Sequence, residues 1–464
     1  MIDPTVDTTT GAVRGIRTAH GSAFLGIPYA GPPSITGRFA APAAHEPWRG
    51  VRDATRLAPT APQPPRNSFG SLDMSPFFGP GWVRGSDYLT VNLWAPPDAR
   101  RCPVMVFVHG GGFVAGSTHS PLYDGTSFAR DGVVLVTVSY RLGIAGFLDL
   151  PGAVPNRGLL DVLAALKWVQ ANIEAFGGDP GNVTLFGQSA GATITAGALA
   201  APGADQLIRR AIMQSGNGFG AFHPEQAERV TRAAAKVLNI EATVTGFDSL
   251  SDERLVGAMP ELAGLDLRTE GRFDPLLGLS PFSLVLADQP ARQLNPDVDL
   301  LIGTNTEEGN LYLVPQGNFD SSTRDDVERL AAQVEADPAA VIQRYRSRFP
   351  RAGWAQLRSA ILGDALFRTG SERTAQSHGA AFRYEFSWRS AAVDGMLGAA
   401  HAVELPFVFE RTGLESVRGP GALLGPDEPP VALAAEMHGA WVRYATTGDP
   451  GWARGQTRRF TGVG

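Results

Sequence analysis

The chain has 464 residues, 43% hydrophobic and 19% charged, a balance that suits a folded protein with a sizeable core and excludes a disordered one. A net charge of −6 leaves no basic stripe to neutralise phosphates, so nucleic acid is not an expected partner, and no apolar run approaches a membrane span. The single cysteine, Cys102, rules out an intrachain disulfide; with residues 1–10 lacking a basic and then apolar segment, a cytoplasmic monomer is the expectation.

In chain order, residues 12–15 and 23–30 read as short strands broken by Gly and Pro. Residues 59–88 form a Pro- and Gly-rich loop carrying Phe69, Phe77, Phe78 and Trp82. Such a length suits a binding loop, or one whose rings pin it to the core. Residues 89–94 read as a strand, and residues 104–108 and 133–138 are continuous apolar runs of the kind buried on both faces of a parallel sheet. Residues 159–175 place apolar side chains at helical spacing. Strands follow at 183–186, 208–214, 300–303 and 382–386, so strand and helix alternate in the manner of a mostly parallel sheet with helices on both faces. Two helical excursions interrupt them, at about 218–290 and 318–380, with N-caps expected at Ser251 and Asp337. Neither has a flexible linker, and both read as lid-like insertions in a single catalytic unit spanning 1–464.

The apolar run Val183-Thr184-Leu185-Phe186 ends on Gly187-Gln188-Ser189-Ala190-Gly191, with a helix-forming stretch at 192–200 behind it. That strand-turn-helix context is what a nucleophile elbow requires, with the serine in strained backbone and glycines where larger side chains would clash. The strand ending at Val108 runs into His109-Gly110-Gly111-Gly112-Phe113, bare backbone where an oxyanion hole would sit. Gly111, Gly112 and Ala190 are the three candidate donors, and His109 is expected to brace the loop. The strand at 300–303 leads to Glu307 and Glu308, two candidate acids, and His401 follows on a later loop. Ser189, an acid and then His401 is the chain order of one class of serine hydrolase.

These residues resemble the type B carboxylesterases, the carboxylesterase and cholinesterase branch of the α/β-hydrolase fold, with bacterial p-nitrobenzyl esterases as similar members. The likeness runs from Phe24-Leu25-Gly26-Ile27-Pro28-Tyr29 through Ser139-Tyr140-Arg141-Leu142, Gly177-Gly178-Asp179-Pro180 and Gln214-Ser215-Gly216 to Gly448-Asp449-Pro450. It implies Ser189 as nucleophile, Glu308 as acid and His401 as base, with Ser215 and Gln188 as supporting neighbours. Two departures stand out: no cysteine pair closes the 59–88 loop, and the glutamate that would pair with Arg38 is missing. Gln188 stands where many members carry glutamate, which points to uncharged alcohols.

The expected activity is hydrolysis of carboxylic esters of small to medium, largely uncharged alcohols through an acyl-enzyme, with neither metal nor cofactor. A catalytically silent binding or adhesion member of the fold, and an acyltransferase or amidase using the same three residues, are the alternatives. The triple glycine is expected to leave room for tertiary alcohols, which a methyl on Gly111 would remove. Phe113, Phe219 and Phe222 are the aromatic candidates for closing the pocket from another side.

Overall fold

The computed structural model describes residues 3–462; Met1, Ile2, Val463 and Gly464 lie outside them. A ten-stranded sheet carries the architecture. In chain order its strands are β1 (Ile16–Thr18), β2 (Gly21–Pro28), β3 (Thr90–Ala95), β4 (Cys102–Val108), β5 (Val134–Val138), β6 (Gly178–Gln188), β7 (Arg210–Gln214), β8 (Asp299–Asn305), β9 (Phe382–Phe386) and β10 (Thr457–Phe460). Their spatial order is β10-β9-β8-β7-β6-β4-β5-β3-β2-β1. Every pairing from β10 to β5 is parallel, while β5–β3, β3–β2 and β2–β1 are antiparallel.

The central strands are apolar on both sides because both faces are covered. Successive side chains of a strand point opposite ways, and in β4 Val104, Val106 and Val108 join one core cluster while Met105 and Phe107 join the other. Helices α1 (Arg157–Asn172) and α2 (Ala190–Leu199) cover the first face with Val162, Leu166 and Ile194; α3 (Val431–Thr447) covers the second with Met437, Trp441 and Tyr444.

The second excursion has an apolar cluster of its own, built from Val327, Leu330, Val341, Leu357, Ile361 and their neighbours. Both N-caps form: Ser251 accepts from the Arg254 N–H and Asp337 from the Ala340 N–H. Between residues 59 and 88 the chain holds a two-strand hairpin (Ser68–Phe69, Leu72–Asp73) and one helical turn (Ser75–Phe78). A disulfide is replaced there by polar clasps. The Gln63 amide donates to the Gly116 carbonyl at 3.0 Å and accepts from its N–H at 2.8 Å, Thr60 ties Gly81 to Val83, and the Ser71 and Asp73 N–H groups bond to Pro315 and Gly421. Arg38 pairs instead with Asp252, 3.2 Å away, and donates to the Leu250 carbonyl.

Candidate active site

The elbow stands where β6 meets α2. Ser189 occupies φ 56°, ψ −124°, a left-handed backbone that a non-glycine residue adopts only under constraint. Close packing supplies that constraint: a methyl on Gly191 would come within 2.1 Å of the Val108 carbonyl, and one on Gly187 within 2.4 Å of the Gly191 carbonyl. The Ser189 N–H bonds to the Gln214 carbonyl at 2.8 Å, and the helix begins at Ala190.

β4 lies directly beside β6, with Gly187 opposite Val108, so the glycine loop after β4 is brought to the serine. Gly111, Gly112, Ser189, Ala190 and His401 line one cavity. His109 supports the loop from behind: it is buried, its Nδ1 is 2.8 Å from the Gly110 carbonyl, and its ring stacks on Tyr140 at 4.5 Å. Burial lowers its pKa to about 4, so it stays neutral and its Nδ1–H donates to that carbonyl.

The geometry of the triple glycine corrects one expectation. Gly111 has φ +118°, and a methyl there would lie 1.9 Å from the Ala115 carbonyl oxygen, inside the loop and not in the cavity. Gly112 is the position whose methyl would have space, with Arg66 3.4 Å and Ser280 3.9 Å away, although its φ of +63° is one that favours glycine.

Of the two candidate acids, Glu308 meets the histidine. Its Oε2 is 2.7 Å from His401 Nδ1, while its Oε1 accepts from the Ser215 hydroxyl at 2.5 Å and the Asn305 N–H at 2.7 Å. Glu307 turns away, accepting from the Ala399 N–H and pairing with Arg389. Ser215 holds φ 47° at the end of β7, between the elbow and β8. With Nδ1–H donated to Glu308, the Nε2 lone pair of His401 faces the Gln188 amide nitrogen, 3.2 Å away, and such an imidazole can accept a proton at Nε2.

Two aromatic side chains that sequence reasoning passed over frame the imidazole. Phe367 stacks on it with centroids 4.2 Å apart and planes 17° apart, and Tyr312 lies tilted at 5.9 Å. Phe367 sits in a π-helical turn, Asp364–Arg368, a local widening that recurs at functional sites. Glu404, three residues after the histidine, is fully buried and accepts from the Asn305 and Gln214 amides. Burial, with a smaller contribution from the Glu308 charge, raises its pKa to about 7.

The rest of the cavity wall departs from expectation. Phe113 lines it and packs edge-on against Phe147. Phe219 and Phe222 do not. Phe219 faces a neighbouring cavity, where Arg373 lies 4.1 Å over its ring. Phe222 is 1% exposed because its backbone bonds to Leu284 and Leu286, which draws the side chain into the core. The aromatic wall comes instead from Phe69, Phe77 and Phe78 of the 59–88 loop, while Trp82 lies outside it under the Arg84 guanidinium. Away from the cavity, Asp131, Glu410 and His438 bring ligand-type atoms within 4.8 Å, but Arg130 already bridges the two carboxylates.

A mostly parallel sheet with the elbow, the glycine loop and the acid–base pair all following the carboxyl ends of neighbouring strands is the α/β-hydrolase fold. The chain belongs to the carboxylesterase family, whose profile matches residues 2–460. It is 35% identical over 467 residues to the para-nitrobenzyl esterase of Bacillus subtilis, covering 97% of this chain and 91% of that one. With the phenmedipham hydrolase of Pseudarthrobacter oxydans it shares 34% identity, covering 96% and 90%. Among solved structures, a Geobacillus stearothermophilus carboxylesterase superposes with a TM-score of 0.83 at 31% identity, covering 99% of this chain and 96% of the other. The protein is a carboxylic-ester hydrolase of the serine carboxylesterase type. Among the described residues no helix is long and apolar enough to cross a membrane.

Proposed function

We infer that Ser189 is the nucleophile, His401 the base and Glu308 the acid of this esterase, acting on esters of small to medium, largely uncharged alcohols. The observation that carries the assignment is the 2.7 Å contact between Glu308 Oε2 and His401 Nδ1 beneath the cavity that Ser189 also lines. Ser189 Oγ attacks the ester carbonyl as its proton passes to His401 Nε2, and Glu308 stabilises the imidazolium. The Gly111, Gly112 and Ala190 amides hold the oxyanion; the imidazolium then protonates the leaving alkoxide. Water repeats the steps on the acyl-enzyme and restores Ser189. Ser215 fixes the Glu308 carboxylate, and Gln188 holds the resting imidazole through Nε2.

The same proposal takes the chain as one catalytic unit, with the helical excursions roofing the cavity, working as a monomer in a bacterial cytoplasm. The lone, partly buried Cys102 supports a reducing setting. Its test is a series of p-nitrophenyl esters of increasing acyl length, each compared with the matching anilide. Ester turnover with anilide turnover lower by orders of magnitude supports it; comparable rates on both would make the protein an amidase.

A further inference from the structure

We propose that Arg66 makes this esterase selective for esters carrying an anionic group, of which the half-ester of a dicarboxylic acid is the simplest. The inference rests on the esterase reading above and adds the charge of the substrate; a charge found in the alcohol half would replace the uncharged-alcohol part of that reading and leave the ester chemistry in place. Arg66 is the one Arg, Lys, Asp or Glu among the described residues lining the cavity that holds Ser189 and His401. Its guanidinium sits at the glycine loop, donating to the Gly111 carbonyl at 3.2 Å and lying 3.4 Å from where a Gly112 methyl would be. The rings of Phe69 and Phe78, 4.9 and 5.2 Å away, hold it there.

This half-buried cation is satisfied differently from Arg141 and Arg157, which are fully buried. Arg141 is matched by Asp161 through two guanidinium contacts at 2.7 and 2.8 Å. Arg157 has no carboxylate partner but donates to four backbone carbonyls. Arg66 has five N–H donors, one carbonyl acceptor and, among the described residues, no ion-paired carboxylate. Its desolvation lowers the guanidinium pKa from its ordinary value, yet a guanidinium remains charged at any working pH. A partly desolvated charge with unused donors, facing a substrate cavity, is completed most favourably by a planar anion that takes two of them.

The test compares kcat/KM within two matched pairs, on wild type, Arg66→Gln and Arg66→Lys. One pair places the charge in the acyl half, p-nitrophenyl hemisuccinate against p-nitrophenyl valerate. The other places it in the alcohol half, 4-acetoxybenzoate against 4-acetoxybenzamide. Wild type should favour the charged member of at least one pair, and Arg66→Gln should cut that ratio about tenfold, the effect of one charged hydrogen bond. Arg66→Lys should keep a preference of the same sign, and raising salt from about 0.05 to about 0.5 M should erode it only where residue 66 is charged. The pair that responds tells which half of the ester reaches Arg66. Because each ratio is read on one preparation, partial loss of activity does not obscure it. Ratios that Arg66→Gln leaves unchanged in both pairs would mean that Arg66 only pins the loop, and would overturn the inference with esterase activity intact. No turnover of any of the four esters by wild type would fail the esterase reading itself.

Discussion

Phe367 lies flat against the His401 imidazole, ring centroids 4.2 Å apart and planes 17° apart. With Glu308 fixing one ring nitrogen and Gln188 meeting the other, this face contact leaves the imidazole little freedom to tilt. Phe367→Ala should therefore lower kcat about tenfold or more while KM changes little, since positioning errors of this kind act on the chemical step. The melting temperature should fall as well, because Phe367 is 8% exposed within the excursion's own cluster. Phe367→Tyr, which keeps the ring, should retain most of kcat. Steady-state kinetics of the two variants check it, and equal losses would assign Phe367 to packing alone.

Glu308→Gln and Glu307→Gln should differ widely. At 308 the amide oxygen can still accept from Ser215 and Asn305, which turns the –NH2 toward His401 Nδ1. That forces the tautomer with the proton on Nε2, where Ser189 needs a lone pair; removal of the analogous carboxylate in serine proteases costs about 10⁴ in kcat. At 307 only the contacts to Ala399 and Arg389 change, and kcat should stay within about tenfold. Reversed or equal losses would transfer the acid to Glu307.

Alanine at either of two adjacent glycines of the oxyanion loop strains a positive-φ backbone and should lower activity, but the two should differ in which esters suffer most. Gly111→Ala should impair all esters alike, since its methyl would strike the Ala115 carbonyl. Gly112→Ala should suppress tert-butyl acetate more than n-butyl acetate, since its methyl would occupy cavity space beside the carbonyl site. The ratio of the two rates in each variant measures this. An unchanged ratio in Gly112→Ala would show that the width is set by the surrounding aromatics.

Glu404 gives a pH-dependent stability. Its folded pKa is raised from 4.5 to about 7, so the native state binds the proton more tightly than the unfolded chain. The associated stability is fully present below the unfolded pKa and is lost as pH rises through the folded one. The difference corresponds to roughly 3 kcal/mol at about 1.4 kcal/mol per unit. Glu404→Gln, which cannot ionise, should thus look least stable relative to wild type near pH 4 to 5 and gain on it up to about pH 8. Melting curves of both proteins across that range check the sign; a difference that is flat in pH would mean that folding leaves the Glu404 pKa at its unfolded value.

What could be read from the sequence was what is local along the chain. The strand, turn and helix around Ser189 are contiguous, and the strain at its φ follows from two glycines within the same five residues. The β4 run and its triple glycine are equally contiguous, and chain order together with a position on a loop after a strand singled out His401. The cavity walls were less accessible because they are assembled from distant segments. Phe219 and Phe222 follow Ser215 closely in sequence, yet the chain turns their rings away from Ser189. Phe367, 34 positions before His401, stacks on it from a π-helical turn that no composition signal marks. Arg66 and Gln63 sit in a Pro-rich loop without periodicity, so neither the clasp on Gly116 nor the contact with Gly111 had a pattern to announce it.

Turnover depends on Ser189 forming and breaking the acyl-enzyme bond, and the rate of p-nitrophenyl acetate hydrolysis by Ser189→Ala tests that most directly. Its side chain is small and half-buried at the cavity, so the melting temperature should stay near that of wild type. The kcat should fall by about 10⁴ to 10⁶, the range expected when one member of a unit of three is removed. A folded Ser189→Ala protein retaining more than about one per cent of wild-type kcat, far above that range, would contradict the assignment.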